Sequence, residues 1–138
     1  MYYPLTNIEI QYIKENPDNQ DWYSITCRPD LPEDFILEFV DYFNLYTLLS
    51  SNILSENLIL SIKDKFDRGH WFKISFNSNL SENFIRQFQD KLDWYWIAAN
   101  QKLSIEFIGE FAEKLPVEAL ITNYNLSNEV KEFCRMFL

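Results

Sequence analysis

A 23-residue segment, LSENFIRQFQDKLDWYWIAANQK from Leu80 to Lys102, returns along the chain in recognisable form. It is followed by LSIEFIGEFAEKLPVEALITNYN from Leu103 and anticipated by LPEDFILEFVDYFNLYTLLSSNI from Leu31. LSENLILSIKDKFDRGHWFKISFNSN from Leu54 is the same unit with three extra residues, Arg68-Gly69-His70. A fainter copy opens at Leu5, and a truncated one, LSNEVKEFCRMFL, closes the chain from Leu126. The units therefore start at 5, 31, 54, 80, 103 and 126, with periods of 23 or 26 residues. Self-similarity at so short a period constrains the fold strongly, because one unit is too small to bury its own apolar face and must stack on its neighbours.

Four columns of the repeat carry its apolar content. The fifth and sixth places hold Phe35-Ile36, Leu58-Ile59, Phe84-Ile85 and Phe107-Ile108; the ninth holds Phe39, Ile62, Phe88 and Phe111; the thirteenth holds Phe43, Phe66, Leu92 and Leu115. Spacing of i, i+1, i+4 and i+8 describes one face of an α-helix. Ser55, Ser81, Ser104 and Ser127 stand where the N-cap belongs, with Glu56 and Glu82 in the first turn, where a carboxylate suits the helix dipole. The leucine before the cap and the isoleucine beyond it, as in Leu80 and Ile85, form a hydrophobic staple. Pro32 occupies the cap position in the unit from Leu31, so that helix must start differently.

A second, shorter helix is predicted in each unit. Asp21, Asn44, Asp67 and Asp93 are cap-type residues ahead of Trp22, Leu45, Trp71 and Trp94, and Pro116 takes that role in the fourth full-length match. Ile25, Leu48, Ile74 and Ile97 follow three places after the leading residue. Helices this short are marginal alone in water, so each unit must be held by its neighbours. The fold class this predicts is all-α: tandem two-helix repeats stacked as a short solenoid-like array of about ten helices, in one domain over 1–138. Composition agrees, since Gly69 and Gly109 alone cannot supply the positive-φ turns an all-β chain needs in number.

The pattern read from Leu80 to Ile97, Leu-Ser-Glu-x-Phe-Ile-x-x-Phe-x-Asp-Lys-Leu-Asp-Trp-Tyr-x-Ile, resembles the short tandem helical repeats found in proteins of large DNA viruses, phages and some bacteria. The resemblance covers almost the whole chain and is densest at 80–115. It implies a helical array and supplies no catalytic residues.

The net charge of −9 is unevenly spread: residues 1–60 hold ten acids and two bases, Lys14 and Arg28, whereas 61–138 hold eleven acids and ten bases. Direct nucleic-acid binding, which needs clustered Lys and Arg, is disfavoured, and a partner with a basic surface suits the first half better. Glu33, Asp34, Glu38 and Asp41, crowded onto one helix, are the candidate acidic contact face. Cys27 and Cys134 lie far apart with no ligand spacing around them, so neither a disulfide framework nor a metal site is indicated. No membrane span or signal peptide is readable, which makes the cytoplasm the expected compartment, the host's if the source is viral.

Chemistry is sparse. His70 is the only histidine and falls in the three-residue insertion, read as a solvated loop. The recurring acids occupy fixed repeat places, as helix-start charges and solvated faces do. Phosphate-cradle and metalloprotease motifs are absent, so no cofactor and no enzymatic activity are expected. Trp22, Trp71 and Trp94 share one column and read as core. Trp96 differs, since its column elsewhere holds Ser24, Thr47, Lys73 and Ala119; Phe76 similarly stands against Cys27, Ser50, Ala99 and Thr122. Aromatics placed in polar columns mark Trp96 and Phe76 as candidate partner-binding anchors. The expected function is a non-catalytic protein-binding module, with the resemblance implying a viral or phage accessory protein that inhibits a host protein. Two alternatives stay open: an acidic DNA mimic that blocks a nucleic-acid-binding defence protein, and a small-molecule binder or sponge with an aromatic-lined cleft.

Overall fold

A computed structural model describes residues 3–77 and 79–138. The described residues form eleven α-helices and no strand. The first helices of successive repeats are α1 (Asn7–Glu15), α3 (Glu33–Glu38), α5 (Glu56–Ile62), α7 (Glu82–Gln87), α9 (Ile105–Glu110) and α11 (Asn128–Phe137). The second helices are α2 (Trp22–Thr26), α4 (Leu45–Ser51), α6 (Arg68–Asn77), α8 (Trp94–Asn100) and α10 (Val117–Thr122). The chain falls into two compact units, Met1–Phe66 and Asp67–Leu138. In the first, α2 packs on α4 and α3 on α5; in the second, α6 packs on α8, α8 on α10 and α10 on α11.

Helix entry follows the sequence closely. The hydroxyls of Ser55, Ser81, Ser104 and Ser127 each accept the backbone N–H three residues on, as do the side chains of Asp21, Asn44 and Asp93 in the second helices. Thr6 and Glu9 close a reciprocal capping box at α1. Pro32 and Pro116 make no side-chain cap. The first helices end where the ninth-place aromatic leaves helical geometry: Phe39, Phe88 and Phe111 have φ/ψ of −110/23, −111/23 and −112/25. Agreement within a few degrees in three repeats means that the columns specify the backbone as well as the core.

The insertion corrects the sequence reading. Arg68-Gly69-His70 is not a loop; it is the first turn of α6, which makes α6 longer than the other second helices. Asp67 Oδ1 accepts the His70 N–H at 3.1 Å while His70 Nδ1 accepts the Asp67 N–H at 3.0 Å. Histidine thus fills the place that Glu or Gln holds in an ordinary capping box.

The core is built from the columns. Leu31, Leu54, Leu80, Leu103 and Leu126 are all buried, as are the fifth- and sixth-place pairs from Phe35-Ile36 to Phe107-Ile108. Trp71 is buried, whereas Trp22 and Trp94 are half-buried at the edge of the same layer. Trp22 lies 5.3 Å from Phe39, Trp71 5.0 Å from Phe88 and Trp94 5.0 Å from Phe111, each pair joining one repeat to the next. Such contacts contribute about 0.5–1.5 kcal/mol each beyond area burial. Lys91 and Lys114 close over Trp71 and Trp94 at 5.7 and 5.3 Å; Tyr42, in the same column, stacks on Trp22 at 4.7 Å. The indole N–H groups of Trp22 and Trp94 donate to carbonyls five residues back, on Pro17 and Gln89.

Helix exit uses a device that compensates for scarce glycine. No described residue has a positive φ, so the usual left-handed C-terminal cap does not occur among them. Buried side-chain amides from the following repeat serve instead. Asn52 donates to Arg28 O beyond α2, Gln101 to Ser75 O in α6, and Asn123 to Ala98 O and Gln101 O around the end of α8. Asn52 and Gln101 also accept the backbone N–H of Leu31 and Leu80, which fixes the first residue of their own repeat.

Candidate functional site

In the second helices, the residue after the inward tryptophan column turns outward, because successive helical positions differ by about 100°. That column reads Tyr23, Tyr46, Phe72 and Tyr95, all exposed, and ends in the exposed Glu118. An aromatic ring at the same outward place in four repeats goes beyond the needs of the core.

Within 67–138 this column meets the two sequence candidates. Phe72 and Phe76 lie one turn apart on α6 and are 40% and 39% exposed; Tyr95, on α8, is 48% exposed. Trp96 is half-buried rather than fully exposed, with its ring 4.6 Å from Phe76, 5.2 Å from Tyr95 and 6.2 Å from Phe72. All three contacts are edge-to-face, at 85°, 89° and 89°. Trp96 and Phe76 are therefore brought together, with Phe72 and Tyr95 added by the structure. The four rings hold one another in place and form a preformed, partly exposed apolar surface.

The acidic candidates are all exposed but are drawn toward different neighbours. Glu33 accepts from the Ser55 N–H and hydroxyl, both at 2.7 Å, and so supports the start of α5. Glu82 accepts the Ser104 N–H at 2.6 Å, which makes this acid column a structural link between repeats. Glu38 pairs with Lys14 at 2.9 Å and Asp41 with Lys65 at 2.6 Å. Asp34 accepts the N–H of its own neighbour Phe35. In the second unit Arg86 grips Glu110 through both its Nε and Nη2 and lies 5.1 Å from the Phe107 ring centre. Hydrogen bonding to that guanidinium holds the Glu110 carboxyl below its usual range and raises Arg86.

In comparisons with protein families, curated proteins and solved structures, nothing matches the chain.

Catalytic geometry is not evident among the described residues. His70 Nδ1 is engaged in the cap of α6, and no group of three or more His, Cys, Asp or Glu among the described residues is placed to hold a metal ion. Burial pushes the Cys134 thiol up, away from the reactive thiolate. An open groove of about 440 Å³ between α1 and α2 is lined by Leu5, Ile8, Tyr12, Ile13 and Ile25, with Glu9 and Arg28 among its polar groups. Half of its lining is aliphatic, and Tyr12 is its one aromatic ring. No described helix is long and apolar enough to cross a membrane.

Proposed function

We propose that this chain is a non-catalytic protein-binding module whose contact face is the aromatic surface of α6 and α8. One observation carries the reading: Phe72, Phe76, Tyr95 and Trp96 form an edge-to-face cluster whose outer three members remain 39–48% exposed. Preformed, partly exposed tryptophan and tyrosine clusters have the composition of binding hot spots. The net charge of −9 favours a partner with a basic surface, through faster encounter more than through contact strength. The resemblance of the repeat to viral and phage helical repeats supports, by analogy, a host protein as the partner and inhibition as the outcome.

The test immobilises the wild-type chain, Trp96→Ser and Phe76→Ser, and compares what each retains from a cell lysate, with circular dichroism confirming the fold. A specific partner should bind each variant about 30-fold or more weaker, as hot-spot truncations do. Equal retention by folded variants refutes the assignment of this face.

A further inference from the structure

We draw no further inference here: the strongest candidate, the open groove between α1 and α2 that Arg28 lines with its Nε–H buried and without an acceptor, carries nothing because nothing in the structure shows what covers it.

Discussion

Replacing Asn123 with leucine tests whether the buried amides hold the repeats together. Asn123 is 0% exposed; its Nδ2 donates to Ala98 O at 2.7 Å and Gln101 O at 2.8 Å, and its Oδ1 accepts the Asn125 N–H at 2.7 Å. Leucine keeps nearly the same shape and removes all three bonds. The Asn125 N–H belongs to an exposed residue and finds water, but two carbonyls near the end of α8 lose their donor inside the protein. A buried polar group left without a partner costs about 1–3 kcal/mol, so the pair costs about 2–6 kcal/mol. Burial of the leucine methyls returns about 1–1.5 kcal/mol, which leaves a net loss of about 0.5–5 kcal/mol. For a chain of this size, that lowers the melting temperature by roughly 2–20 °C. Urea unfolding followed by circular dichroism measures the free energy, with Tyr124→Ser, on a 99% exposed ring, as the neutral control. Asn52→Leu should lose a comparable amount, because it breaks the bonds to Arg28 O and Leu31 N. A midpoint for Asn123→Leu within about 0.5 kcal/mol of wild type would refute the capping role.

Arg86 holds the Glu110 carboxyl below its usual range, so this pair's stabilisation is complete above the ordinary glutamate pKa and is lost as pH falls through the lowered value; Glu110→Gln should flatten the stability profile on the acid side of the ordinary glutamate pKa in urea titrations. Deleting 80–102 places Phe111 and Lys114 where Phe88 and Lys91 meet Trp71, so the shortened chain should still unfold cooperatively. Trp94→Asp, which puts a carboxylate between Phe111 and Lys114, should lower stability by about 3 kcal/mol or more and broaden the transition. Asp34→Asn removes an acid without breaking an ion pair to another repeat, so stopped-flow association with the captured partner should slow at low salt and match wild type at high salt; equal rates at both would make the acidity of α3 irrelevant to encounter.

The helix pairs, their caps and the apolar columns were legible because each depends on residues within one repeat. Ser81 capping α7 and Asp93 capping α8 are local bonds three residues long. What escaped the sequence reading joins one repeat to another. Lys14–Glu38, Asp41–Lys65 and Arg86–Glu110 are each separated by 24 residues, a spacing visible only when the repeats are folded against one another. The amides escaped for a related reason: Asn52 and Gln101 share a column while Asn123 stands one place earlier in its unit, and each resembles a solvated helix-end residue. At the candidate site, comparison of columns singled out Trp96 and Phe76, whose rings do meet. The neighbouring column, Tyr23, Tyr46, Phe72 and Tyr95, was hidden by its own regularity, since a recurring aromatic reads as core. One residue of helical rotation turns it outward instead.

The trans-repeat caps also give the chain a temporal order. Glu33 precedes the Ser55 helix start that it supports, and Glu82 precedes Ser104, so each such N-terminal support has left the ribosome before the helix that needs it. The amide closures run the other way: the end of α8 waits for Asn123, and Ser75 O in α6 waits for Gln101. At about 5–20 residues per second, a delay of one 23-residue repeat lasts about 1–5 s. During synthesis α5 and α6 are therefore started but unlocked until Gln101 emerges, about one repeat after α6 itself is complete.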